Sequence, residues 1–216
     1  VAIKVYALTT VSRLKTFLEI SGTSYDTLLE WIANSATEFI ENYCHRRFQR
    51  TAYTQEMYST DKWQKTLLLD NFPVISTETF TLEIRTSGLN EDDWDTVDSE
   101  DYHVDYDGGI IRMAGRIEFQ KGVDKYRVTY TAGYDFDTST KPLSDTEAGD
   151  LEMAMWKLCA VMFNRRRGDP GIRSERIGDY SVTYAKTVYE SPEIKEILDK
   201  YKRKDVALGV ETPYLT

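Results

Sequence analysis

Apolar positions repeat with one period at the two ends of the chain and with another in its middle. In "TTVSRLKTFLEISG", Val11, Leu14, Phe17 and Leu18 share one face of a helical wheel. This three- and four-residue spacing predicts a short amphipathic helix. Thr9 or Thr10 can cap its start and Gly22 can close its end. Thr23 or Ser24 can then cap a longer helix, in which Leu28, Leu29, Ile32, Ala36, Phe39, Ile40 and Tyr43 form one apolar stripe. It ends at "CHRRF", where His45, Arg46 and Arg47 suit the negative end of the helix dipole.

From Thr51 to about Tyr134 the period becomes two. "AYTQEMY", "TFTLEIR", "YHVDY", "IIRM" and "KYRVTYTAGY" read as strands. The pair Gly108-Gly109 predicts a hairpin turn between two of them, and Pro73 in "NFPVIS" belongs at a strand start or a sheet edge. Helical spacing returns in "LSDTEAGDLEMAMWKLCAVMFNRRRG". There Ser144 and Glu147 predict a capping box, Leu151, Ala154, Met155, Leu158 and Met162 the buried stripe, and Gly168 the residue after the last turn. A fourth helix opens at Ser191-Pro192 and lines up Ile194, Ile197, Leu198 and Tyr201.

The fold class expected is therefore α+β, a bundle of about four helices with an antiparallel β-insertion between the second and third. The layout is one domain: residues 1–50 helical, 51–138 β-rich, 139–204 helical with a strand-like segment, and 205–216 a flexible tail.

Composition sharpens this picture. The 216 residues are 41% hydrophobic and 12% aromatic, enough for a packed core. The net charge of −9 argues against sequence-independent DNA binding, which is driven by cations displacing counterions from phosphate. Residues 51–138 carry 18 acidic and 8 basic side chains, whereas the two flanks are nearly balanced, so the excess belongs to the β-region alone. No apolar run reaches membrane-spanning length, and "VAIKVYALTT" is too short and polar for a signal peptide. The expectation is a soluble, intracellular chain. Cys44 and Cys159 stand far apart within helical patterns and read as buried thiols, and His45 and His103 lack metal-ligand spacing.

Candidate chemistry is sparse. "NEDDWDTVDSEDYHVDYDGG" holds nine carboxylates between Glu91 and Asp107 and no basic residue. Asp105-Tyr106-Asp107-Gly108 is similar to part of a calcium loop, but Gly115, Arg116 and Ile117 stand where a bidentate glutamate is needed. The stretch reads as a solvated loop between strands, with metal binding as the alternative. No G-x-S-x-G elbow, P-loop or G-x-G-x-x-G occurs, so neither a catalytic group nor a cofactor is assigned. Arg165, Arg166 and Arg167 could meet phosphate, as could Arg173 and Arg176. Asp169, Glu175 and Asp179 interleave with them, which favours pairing with carboxylates of this chain or a neighbour.

Several of these pieces, in order, resemble the head–tail connector proteins (adaptor or head-completion proteins) of tailed double-stranded-DNA bacteriophages. They are the two opening helices ending in Arg-Arg-Phe, "NFPVIS", "YRVTYTAGYD", and "DLEMAMWKLCAVMFNRRRG" followed by "ERIGDYSVTY". The segment from Arg85 to Asp105 is longer and more acidic than the family pattern.

The resemblance implies a structural virion protein, not an enzyme, made in the host cytoplasm and sited in the neck between capsid and tail. It implies a ring of about twelve copies beneath the portal protein, joining a stopper or tail-completion protein and extending the DNA channel. DNA would pass without specific binding, and no membrane is involved. On this reading Glu91, Asp92, Asp93, Asp95, Asp98, Glu100 and Asp101 face the channel as a non-adhesive wall. Arg165, Arg166, Arg167, Arg173, Arg176, Asp179, Tyr180, Val182 and Tyr184 contact an adjacent subunit or the portal, and so do Val206, Leu208, Val210, Tyr214 and Leu215 in the tail. The alternatives are another neck component, such as a stopper or tail-completion protein, and a metal-dependent enzyme using the acidic loop.

Overall fold

A computed structural model describes residues 2–86, 94–137, 142–165, 174–177, 180–183 and 191–203. The chain divides into two compact units, Val1–Arg46 with Asp135–Lys202, and Arg47–Tyr134 with Arg203–Thr216. The described residues contain four α-helices and antiparallel sheets, the α+β composition that the two periods indicate.

In the first unit, α1 (Val11–Phe17) opens at Thr10, whose hydroxyl accepts the Arg13 N–H at 3.2 Å. The helix stops before Gly22. Glu19 takes the left-handed conformation (φ 55), its N–H reaches the Thr16 carbonyl, and the Ile20 N–H reaches Lys15. These two bonds close the last turn, and Gly22 lies in the loop beyond. α2 (Asp26–Cys44) ends in the same way at left-handed His45, with the Arg46 N–H donating to Glu41. Neither Thr23 nor Ser24 is its N-cap. Tyr25 occupies that position without a side-chain hydrogen bond, and Asp26 in the first turn takes the Lys15 ammonium at 2.7 Å.

The capping box expected for the third helix does not form. Leu143–Asp145 make a single 3-10 turn, and α3 (Gly149–Arg165) begins only afterwards, so Glu147 precedes the helix. The carboxylate that receives the Ser144 N–H is Glu152, at 2.9 Å. Leu151, Met155, Cys159 and Phe163 are buried at steps of four residues, which carries the stripe past Met162, itself only half-buried. α4 (Pro192–Tyr201) follows Ser191, which holds the expected N-cap position without a side-chain capping hydrogen bond, and buries Ile194 and Leu198. It also makes polar contacts: Lys157 to Glu193, Lys200 to Asp150 and Tyr43 to Asp199.

The second unit contains β1 (Thr51–Thr60), β2 (Thr66–Leu68), β3 (Thr81–Arg85), β4 (Trp94–Thr96), β5 (Tyr102–Asp105), β6 (Ile110–Met113) and β7 (Gly122–Ala132). They form two antiparallel sheets in the orders β1-β7-β3-β4 and β2-β6-β5. β2 and β4, three residues each, are too short to show a period and were not legible in the sequence. The two sheets share one core. Tyr58, Leu82, Tyr126, Val128 and Tyr130 enter it from the first, and Leu67, Ile111 and Met113 from the second. β1 carries a bulge in which Gln55 turns left-handed (φ 55) and its N–H reaches the Thr129 hydroxyl at 3.0 Å. Pro73 stands outside the strands, and Val74 after it bridges to Ala132.

Within this core the Tyr58 and Tyr130 hydroxyls both donate to Glu56 Oε2. Burial pushes both phenols far above their ordinary range, and the adjacent carboxylate adds to the shift. A group whose folded pKa is raised stabilises the fold fully below its unfolded value and loses that contribution as pH climbs past it. The urea midpoint is thus expected to hold from neutral pH to about 8, to begin falling as the unfolded Cys44 and Cys159 thiols ionise, and to fall more steeply above about 10, where unfolded phenols ionise. A Tyr58→Phe/Tyr130→Phe variant should show a shallower alkaline slope; an identical slope would refute the assignment.

Candidate assembly surfaces

The segment after α3 is built as a hairpin. β8 (Ser174–Ile177) pairs antiparallel with β9 (Tyr180–Thr183), with Ser174 opposite Thr183 and Ile177 opposite Tyr180. The expected strand around Tyr180 and Val182 is present, but its partner strand, which contains Arg176, was not anticipated. "SERI" alternates too briefly to stand out beside the arginines. Arg165 is the last residue of α3 and is half-buried. Arg166, Arg167, Arg173, Asp179 and Tyr184 lie outside the described residues, as do Val206, Leu208, Val210, Tyr214 and Leu215. The structure therefore places Arg176, Tyr180 and Val182 on one hairpin and leaves the remainder of that contact set open.

Of the acidic stretch, Glu91, Asp92 and Asp93 also lie outside the described residues. Asp95 is exposed on β4, opposite Ile84. Asp98 caps the 3-10 turn Ser99–Asp101 by accepting the Glu100 N–H at 3.0 Å, and the Asp101 carbonyl accepts from Ala114. Asp98 and Glu100 are exposed and Asp101 is half-buried. These carboxylates do not converge. Among the described residues no group of three His, Cys, Asp or Glu is placed to hold a metal ion. Asp105 accepts the Gly108 N–H at 3.0 Å in the β5–β6 turn, so the residues similar to a calcium loop serve a hairpin instead. His103 is exposed on β5. Cys44 and Cys159 are buried free thiols, pushed up to about 12 chiefly by burial, and so held in the inert protonated form.

The surface residues that sequence reasoning missed are exposed aromatic and aliphatic side chains. In the helical unit, Trp31 is 55% exposed on α2. In the β unit, Trp63 is 61% and Val123 81% exposed, and Met57 and Ile117 are also open to solvent. Trp63 sits in the polar run "TDKWQK", and a tryptophan surrounded by charge was the available signal. On β4, by contrast, Trp94 is partly covered. The Arg85 and Arg127 guanidiniums lie 4.7 and 4.6 Å from its ring, and Arg127 also grips Glu83 through two bonds of 2.6 and 2.7 Å.

The described residues thus present strand edges, a hairpin and exposed apolar side chains. A family model described as "Head completion protein" matches residues 7–204. The chain belongs to the head completion protein family, and it is a structural virion protein of the bacteriophage type. No curated protein matches the sequence. Among solved structures, a chain from the neck of the native gene transfer agent particle, computed with C12 symmetry, is 16% identical, with 94% of this chain and 92% of that chain covered and a TM-score of 0.50. A chain from the virion of the native gene transfer agent particle is also 16% identical, with the same coverage and a TM-score of 0.49.

Proposed function

We propose that the protein forms a ring beneath the portal protein, extending the DNA channel and joining the capsid to a stopper or tail-completion protein. The observation that carries this reading is the family match over residues 7–204. The neck particle whose chain shares this fold was computed with C12 symmetry, which supports a ring of about twelve copies here. A closed ring needs each copy to present two different surfaces to its neighbours, and the strand edges and hairpin supply such surfaces.

The β8–β9 hairpin, with Arg165 to Arg167 before it, contacts an adjacent subunit or the portal, since among the described residues each of its strands pairs along one edge only, and such an edge can accept a further strand. The residues from Val206 to Leu215 dock on the portal. Electron microscopy of the protein mixed with portal particles should show an added ring. Deleting Gly209 to Thr216 should leave the melting temperature unchanged and abolish attachment. A truncated protein that still decorates portals would remove the docking role, and a full-length protein that never does would remove the reading as a whole.

A further inference from the structure

One ion pair brings the start of the C-terminal tail to the open edge of a strand. Arg203, the last described residue, pairs through Nη1 with Asp70 Oδ1, and both belong to the β unit. Asp70 lies two residues beyond Leu68, where β2 ends. Residues 204–216 follow Arg203 and are outside the described residues.

β2 is an edge strand in the order β2-β6-β5. Leu67 stands opposite Ile111, the Lys65 carbonyl accepts the Met113 N–H at 2.9 Å, and the Leu69 N–H reaches the Gly109 carbonyl at 2.8 Å. The odd-numbered residues thus bond to β6, and antiparallel geometry turns the backbone groups of Thr66 and Leu68 to the other side. Among the described residues no strand pairs there. The Thr66 carbonyl accepts Gln64 Nε2 at 2.9 Å and keeps a second lone pair. Side chains alternate too: Leu67 and Leu69 are buried in the core, whereas Thr66, Leu68 and Asp70 are half-buried.

The tail has a matching alternation. In "RKDVALGV", Val206, Leu208 and Val210 are apolar and branched, with Asp205, Ala207 and Gly209 between them. Side chains that touch across paired strands are directly opposite or two residues off, and either relation conserves parity. Arg203 against Asp70 therefore sets Asp205 and Ala207 on the face of Thr66 and Leu68, and Val206 and Leu208 on the face of Leu67 and Leu69. A slip of one residue would turn Asp205 to the core instead. The direction follows as well. The Asp70 N–H is taken by the Tyr58 hydroxyl at 3.2 Å, so the open edge runs from Asp70 back toward Thr66. Arg203 to Val206 is the same number of residues as Asp70 to Leu67, so the tail meets the edge without an intervening loop.

We propose that residues 205–208 add to the outer edge of β2 in the same molecule, antiparallel to it, with Val206 beside Leu67. The occupant is this chain's own tail because the ion pair fixes where that tail begins and the parity of its apolar residues fits the buried side. Backbone bonds to Thr66 and Leu68 hold the added strand, and the apolar side chains choose its register. The covered edge is also closed to pairing with another sheet. This strand stands apart from the portal reading and narrows it: Val206 and Leu208 belong to the β unit, and Val210, Tyr214 and Leu215 are left to dock.

The test uses the full chain by itself, without portal particles. Thr66→Cys/Ala207→Cys treated with dibromobimane, which fluoresces on bridging two neighbouring thiols, should give a fluorescent monomer. Thr66→Cys/Leu208→Cys, with its second thiol on the other face, should give about a tenth of that signal or less. The unsubstituted protein, whose thiols are buried, is the blank. Hydrogen exchange gives a readout without new thiols. The Leu68 N–H should exchange about tenfold more slowly in the full chain than in a chain ending at Arg203, and Ala207→Pro in the full chain should remove the same protection. Equal Leu68 exchange in all three proteins, or equal fluorescence from the two cysteine pairs, would overturn the proposal. Bimane-linked dimers in place of monomers would give the edge to the tail of a second copy and overturn the seat within one molecule. A protein that passes these tests yet never decorates portals would keep the strand and lose the portal reading alone.

Discussion

Glu152→Ala is expected to lower the stability of the helical unit by about 3–5 kcal/mol, the range for removing one member of a buried charge pair. Glu152 is 1% exposed and accepts four hydrogen bonds. They come from the Thr9 hydroxyl at 3.0 Å, Arg13 Nε at 2.8 Å, Arg13 Nη2 at 3.1 Å and the Ser144 backbone N–H at 2.9 Å. Trp156 extends the network by donating to the Thr9 hydroxyl at 2.7 Å, and the Arg13 guanidinium lies 5.3 Å from the Trp156 ring centre. The donors come from three places: the segment before α1, α1 itself, which gives two through Arg13, and the turn before α3. One carboxylate therefore ties the start of the chain to a helix more than a hundred residues later. Alanine would strand these donors around a cavity, which costs the desolvation of each as well as the lost charge pairing. The Arg13 side chain is 34% exposed and can recover some water, so the lower half of the range is expected. Glu152→Gln keeps the volume but turns an amide NH2 toward donors, and should cost less than alanine yet well over 1 kcal/mol. Urea unfolding followed by far-UV circular dichroism at the helical signal measures both, and a loss below 1 kcal/mol for alanine would show that the network contributes little.

Glu152 also marks where sequence reasoning stops. Its neighbours Leu151, Ala154, Met155 and Leu158 were legible as a core stripe because side chains three and four apart must share a helix face. A carboxylate inside that stripe reads as belonging to the solvent side unless its partners are known, and Arg13 is 139 residues away. The same division runs through the fold. A cap at Thr9 or Thr10 was legible because such a bond spans three residues, and the structure gives it to Thr10. The left-handed ends at Glu19 and His45 were not, because glycine is the residue that favours this conformation and neither position has one. In the β unit the long strands showed their alternation, whereas the two-sheet arrangement depends on which strands become edges. That depends on pairings such as β1 with β7, some seventy residues apart. The acidic stretch was visible as composition, whereas Met57 and Trp63 stand out as exposed apolar side chains only once the strands around them are placed.

Gly133→Ala is expected to destabilise the β unit by about 3 kcal/mol or more, through a steric conflict that backbone atoms cannot relieve. Gly133, next to last in the "VTYTAGY" run, has φ +105, beyond the range that residues with a Cβ readily adopt. A Cβ there would stand 2.7 Å from the Gln49 carbonyl oxygen and 2.8 Å from both the Gln49 carbonyl carbon and the Phe48 oxygen. These neighbours are fixed from both sides. Tyr134 donates its N–H to Phe48 at 2.7 Å, Arg50 donates to Tyr134 at 2.9 Å, and Gly133 itself donates to Pro73 at 2.9 Å. Any retreat from the new methyl would break these bonds, where β7 is joined to the entry of β1. Gly115 separates the two contributions to this cost. Its φ is +54 and a Cβ there meets nothing within 4 Å, so Gly115→Ala carries dihedral strain alone, about 1–2 kcal/mol. The unfolding free energies of the two variants should therefore differ by a further 1–2 kcal/mol or so in favour of Gly115→Ala, the part owed to the collision together with the less accessible φ of Gly133. Equal unfolding free energies would mean that the strands around Gly133 yield, and that the close approach of residues 48, 49 and 133 is not what requires glycine there.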